Sequence, residues 1–190
     1  MKLSHTQLAR QIHADNIKAG WWSDLKTGDS IIHTRNRPEI LMLIVSELSE
    51  AAEGWLGSLS DDKLPQYPMF DVELADAAIR TYDLLGCDAG TVGFDGAVHA
   101  ADLDFGDGCC RVSDLMRLVN IVSAAMEAYR KGRTVQYQEA LFELLGSIFA
   151  MSEIYGTHDL YDVIESKRNF NRDRSDHKPE NRKAADGKKF

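Results

Sequence analysis

The chain is short of cysteine, short of proline and without a long apolar run. Its three cysteines are Cys87, Cys109 and Cys110. An odd number, two of them adjacent, makes a poor disulfide framework, and no Cys/His spacing suits zinc. No apolar stretch approaches the ~20 residues of a membrane span. The opening MKLSHTQLARQIHADNI lacks the apolar centre of a signal peptide. These absences predict a reduced, cytoplasmic protein with no membrane partner. Positive charge is scarce as well. The net charge of −8 argues against general nucleic-acid binding. From Glu165 to Phe190, however, nine Lys/Arg face five Asp/Glu, a balance of +4 that leaves −12 on the rest. A basic tail on an acidic body either meets phosphates or folds back on the body.

What is present is helical periodicity. With 190 residues and 44% apolar content the chain has enough for one core. We expect a single all-α domain over 1–171 and a basic, extended tail over 172–190. Ser4 caps a first helix whose apolar face holds Leu8, Ile12 and Ile17, and Gly20 ends it. Trp21 and Trp22 read as core anchors. A second helix runs from Pro38 to about Trp55, with proline harmless in its first turn. Pro65 and Pro68 keep the next stretch a loop. A third helix runs from Phe70 to Leu85, stopped at Gly86. Cys87–Cys110 is rich in Gly and Asp and reads as an irregular loop or short hairpin. Further helices are predicted over Val112–Tyr129, Val135–Tyr155 and Asp159–Asn171.

Two of these helices are apolar yet carry acids one turn apart: Glu47 with Glu50, and Glu73 with Asp76. Residues i and i+3 lie on nearly the same face. Burying carboxylates is costly unless cations compensate. Four converging carboxylates would form an oxygen-only site of the kind Mg²⁺ or Mn²⁺ prefers. None of the six histidines has a partner spacing that indicates catalysis, so they read as surface or structural.

The hairpin over 38–86 has a worn copy over 112–156. A shift of 74 places Leu41-Met42 on Leu115-Met116, Ala51 on Ala125 and Trp55 on Tyr129. A shift of 70 places Leu74 on Leu144 and Gly86 on Gly156. Three of the four acids do not survive: Glu47 becomes Ile121, Glu50 becomes Ala124 and Asp76 becomes Gly146, and only Glu73 keeps a carboxylate, at Glu143. Two such hairpins can pack as a four-helix bundle. A core with Ile121 and Ala124 both turned away from the interior would overturn the repeat.

The text S-E-L-S-E at Ser46–Glu50, followed after 22 intervening residues by E-L-A-D at Glu73–Asp76, resembles the all-α NTP pyrophosphohydrolase superfamily. That group includes MazG and the dimeric dUTPases. The late Lys167, Asn171 and Arg174 resemble its K-x-x-x-N-x-x-R text, and the closing D-G-K-K-F resembles the ends of MazG-like proteins, many of them phage-encoded. Ser46 departs from the pattern, because many members have glutamate there; Glu53 is a partial substitute. The resemblance implies a MazG-like bundle and a homodimer, or a tetramer. It also implies Mg²⁺-dependent (Mn²⁺ as an alternative) hydrolysis of a (d)NTP to monophosphate and pyrophosphate. On this reading Glu47, Glu50, Glu73 and Asp76 are metal ligands, and Glu47 or Glu50 accepts the proton of water. Lys167, Asn171 and Arg174, with Lys178 a weaker candidate, contact phosphate or sugar. Arg80 neutralises the acids or touches phosphate. Asp83 supports the metal ligands, contacts the nucleoside, or is an exposed acid at a helix end. Two other outcomes stay open: a dUTPase-like enzyme, and a non-catalytic helical module that binds a metal for assembly.

Overall fold

A computed structural model describes residues 2–88, 93–100 and 111–183. The described residues are all-α, with no strand among them. Seven helices follow in order: α1 (His5–Lys18), α2 (Arg37–Gly57), α3 (Met69–Asp88), α4 (Arg111–Arg130), α5 (Thr134–Tyr155), α6 (Leu160–Asp173) and α7 (Pro179–Arg182). No described helix is long and apolar enough to cross a membrane.

Local chemistry sets the ends. Ser4 Oγ accepts from Gln7 N–H while the Gln7 side chain accepts from Ser4 N–H, a reciprocal cap that starts α1. Asn36 caps α2 and Pro38 sits in its first turn. Asp159 caps α6 through the Tyr161 N–H. Gly132 adopts φ +65° after α4, a left-handed value that glycine takes without penalty.

α3 is the centre of the molecule. It packs against α1, α2, α5 and α6. It buries Val72, Leu74, Ala75, Ala78, Tyr82 and Leu85. The hairpins α2–α3 and α4–α5 lie side by side, α2 on α4 and α3 on α5. Their burial patterns match in the predicted register. Leu41 and Leu115 are buried, Met42 and Met116 exposed, Ala51 and Ala125 buried, Trp55 and Tyr129 exposed. Ile121 is buried like Glu47, and Ala124 is exposed like Glu50.

Three expectations are corrected. α3 does not stop at Gly86 but continues to Asp88. A Cβ on Gly86 would lie 2.5 Å from the Ala9 carbonyl oxygen and 2.7 Å from His13 Cβ, so this glycine admits α1 rather than ending α3. Ile17 is exposed. Nine residues after Leu8, at 3.6 residues per turn, it falls on the opposite side of the helix. The tail is not extended: Ser175–His177 forms a 3₁₀ turn and α7 follows, with Arg182 buried. The predicted 87–110 loop lies partly outside the described residues. Within its described part, Asp95–Ala97 is a 3₁₀ turn and Asp95 accepts from the Thr6 N–H and hydroxyl. Cys109, Cys110 and the closing D-G-K-K-F lie outside the described residues.

Candidate metal centre

α2 and α3 turn carboxylates toward one another. Glu47 of α2 and Glu73 and Asp76 of α3 each bring an oxygen within 4.8 Å of the other two. Glu47 is 7% exposed and Glu73 5%. Two cations compensate for that burial. Arg80, one turn beyond Asp76 on α3, donates Nε–H to Glu47 Oε1 at 2.6 Å. Lys167 of α6 places Nζ 2.7 Å from Asp76 Oδ2 and is itself only 6% exposed.

Three carboxylates against two cations leave the cluster one positive charge short. The titration behaviour reflects this. Burial, reinforced by Asp76 and Glu47, pushes the Glu73 carboxyl up to about 9. Burial also raises Glu47, against the pull of Arg80. Burial lowers Lys167, but Asp76 and Glu73 outweigh it and the ammonium ends above its ordinary value. Without a further cation the cluster therefore holds a proton at neutral pH. An all-oxygen donor set in that state fits a hard divalent cation.

Glu50 stands apart from the other three acids. Its carboxylate is exposed, accepts from Ser46 Oγ at 3.1 Å, and lies outside the three-carboxylate group. It does line the same cavity. Glu53 is exposed and does not line it, so it does not replace the glutamate expected at 46.

The cavity has a volume of about 820 Å³. Glu47, Glu50, Glu73 and Asp76 line it together with Arg80, Lys167, Asn171, Arg174 and Lys178. Trp21, Trp22, Leu43 and Ile79 give it an apolar part, and Asp61, Asp62 and Lys63 contribute from the α2–α3 loop. Asn171 Oδ1 is buried without a hydrogen-bond partner. Arg174 pairs with Asp176 at 2.6 Å and lies over the Phe170 ring. That hydrogen bond raises its pKa, and Asp76 adds to the effect.

Asp83 is not an exposed helix-end acid. It is buried, accepts from Trp22 Nε1–H at 3.0 and 3.1 Å, and lies 2.7 Å from His13 Nδ1. It ties α1 and the Trp21-Trp22 corner to α3 and reaches the cavity wall. His13 is thus structural. His158, which contacts the buried Asp71 at 3.0 Å, is too.

Nothing in the residue pattern marks the Asp61–Lys63 wall, because short loop acids and lysines look the same whether solvated or lining a site. Arg182 was visible only as part of a basic tail. Comparison with family models, curated proteins and solved structures returns no match.

Proposed function

We propose that this protein is a metal-dependent nucleotide pyrophosphohydrolase that converts a (d)NTP and water to (d)NMP and pyrophosphate. The observation that carries the reading is one cavity with both signs of charge: the Glu47–Glu73–Asp76 cluster, and Arg80, Lys167 and Arg174 beside it. A polyphosphate bearing about four negative charges needs both, a divalent cation on the acids and fixed cations for its remaining oxygens. The S-E-L-S-E and E-L-A-D texts, which resemble those of the all-α NTP pyrophosphohydrolases, support the same reading.

Glu47, Glu73 and Asp76 would hold Mg²⁺ or Mn²⁺. When bound there, such a cation would supply charge neutralisation and polarisation of the phosphorus to be attacked. The protein's own groups do the rest. Glu50, on the cavity wall outside the three-carboxylate group, accepts the proton of the attacking water. Lys167 and Arg80 turn from Asp76 and Glu47 toward phosphate oxygens once the acids have another cation. Arg174 balances pyrophosphate as the α–β bond breaks. The Asn171 amide offers a donor and an acceptor to sugar or phosphate.

The test is incubation with Mg²⁺ and a panel of NTPs and dNTPs, dUTP included, with an assay for pyrophosphate. Release by the wild type and loss in Asp76→Ala are expected. Preference for dUTP would assign the dUTPase-like specificity. A specific observation favours a second reading: Arg80 and Lys167 already engage two of the acids, as in a purely structural ion-pair cluster. No release with any nucleotide would favour that non-catalytic module.

A further inference from the structure

Arg182 occupies an unusual position for a residue near the end of a basic tail. It is 1% exposed. Its guanidinium carbon lies 3.5 Å from the centre of the Trp21 ring, and Nη1 is 3.5 Å from the Ala19 carbonyl oxygen. Burial pushes its pKa down to about 10, so it remains charged at neutral pH. A planar cation stacked on indole is a strong, geometrically specific contact once water is excluded.

The contact has a consequence for the cavity. α6 ends at Asp173, and the chain between Arg174 and Arg182 turns back toward the Trp21 corner between α1 and α2. On that return path Arg174, His177 and Lys178 line the cavity, and His177 meets the Trp21 ring edge-on at 5.3 Å between centroids. Trp21 lines the cavity as well. The basic wall therefore belongs to a short segment fixed at one end by α6 and at the other by Arg182 on Trp21. Loosening the second anchor would let Arg174 and Lys178 drift into solvent, where their charges are screened.

We propose that Arg182 is a positioning residue, whose stacking on Trp21 holds the 174–182 segment as the phosphate-facing wall of the cavity. Its ligand class rests on the pyrophosphohydrolase reading above; the latch itself rests on the contact geometry.

The experiment uses the full chain and the variants Arg182→Ala, Arg182→Lys, Trp21→Ala, Trp21→Phe and the Arg182→Ala/Trp21→Ala pair, each checked for native helicity. Limited trypsin digestion reads the latch. Cleavage after Arg174 and at Arg182–Lys183 should be at least tenfold faster in Trp21→Ala than in the wild type, and near the wild-type rate in Trp21→Phe; Lys178, followed by Pro179, is not a trypsin site. Kinetics with the preferred Mg²⁺-nucleotide read the wall. KM should rise about tenfold in Arg182→Ala with kcat within about threefold, Arg182→Lys should recover part of the loss, and the double variant should be no worse than either single. Unchanged digestion in Trp21→Ala overturns the latch. Released tails with unchanged KM, or losses that add in the double variant, overturn the positioning role. If the wild type turns over no nucleotide, the functional reading and the proposed ligand class both fail, and digestion alone still decides the latch.

Discussion

Replacing Glu73 by glutamine isolates the electrostatic cost of the cluster. Glu73 is pushed up from 4.5 to about 9 by burial, Asp76 and Glu47. Between those values the native protein holds a proton that the unfolded chain has lost. Stability then falls as pH rises, by up to about 1.4 kcal/mol per pH unit for one proton. From pH 6 to pH 8 the loss reaches about 2.7 kcal/mol. At about 2.1 cal/mol/K per residue, unfolding 190 residues carries an entropy of about 0.4 kcal/mol/K, so the loss corresponds to a Tm decrease of about 7 °C. Glu73→Gln cannot ionise. In EDTA its Tm should fall between pH 6 and pH 8 by up to about 7 °C less than that of the wild type, and at pH 8 it should be the more stable protein. On the proposed reading Mg²⁺ or Mn²⁺ would replace the proton, so either ion should flatten the wild-type slope, release up to one proton per chain in weak buffer, and leave the variant unaffected. Differential scanning fluorimetry or calorimetry measures the Tm values. Equal pH slopes for wild type and variant in EDTA would refute the argument that Glu73 is held protonated.

Other perturbations separate chemistry from architecture. Glu50→Ala removes an exposed carboxylate, so it should abolish pyrophosphate release while changing stability by less than about 0.5 kcal/mol; retained turnover would remove Glu50 from the mechanism. Asp76→Ala strands Lys167 in the interior and should cost about 3 kcal/mol by denaturant unfolding, as well as all activity, with far-UV circular dichroism unchanged. Gly86→Ala should destabilise by about 2 kcal/mol, because the new methyl group meets the Ala9 carbonyl. A glycine that merely weakened the helix would give the opposite sign, a gain of about 0.5–1 kcal/mol.

The periodic parts of the fold were readable because helix faces are local. Leu8 and Ile12, Leu41 and Ile44, and Leu141, Leu144 and Ile148 all point inward as their spacing requires. Gly86 reads as a helix stop in the sequence because a stop and a close crossing use the same residue. What decides between them is Ala9, a residue distant in sequence that packs against it in the fold. The acids were half readable. Three of the four converge, and Glu50 does not, although it lies one turn from Glu47 as Asp76 does from Glu73. Residues three apart on a helix differ by about 60° around the axis. On α3, flanked by α2 and α6, both positions of such a pair are covered. On α2 the Glu50 side is left to solvent. Lys167 carried no mark of its partner, since the pair with Asp76 depends on how α6 packs on α3.

That same packing explains why one hairpin holds acids and the other does not. A buried carboxylate cluster is tolerable only where cations reach it. α6 lies along α3 and delivers Lys167, and α3 supplies its own Arg80. At the matching positions of the second hairpin only one of the four acids remains, Glu143 in the place of Glu73. Ile121 fills the place of Glu47. Gly146 replaces Asp76, and the chain at His99–Ala100 occupies the space: a Cβ there would lie 2.1 Å from the His99 carbonyl. Ala150 stands where Arg80 would. The second hairpin thus lacks counterparts of Glu47, Asp76 and Arg80 together, and main chain covers the space beside Gly146. Their joint absence points to a single electrostatic unit, in which the charges on α3 and α6 stand or fall as a set.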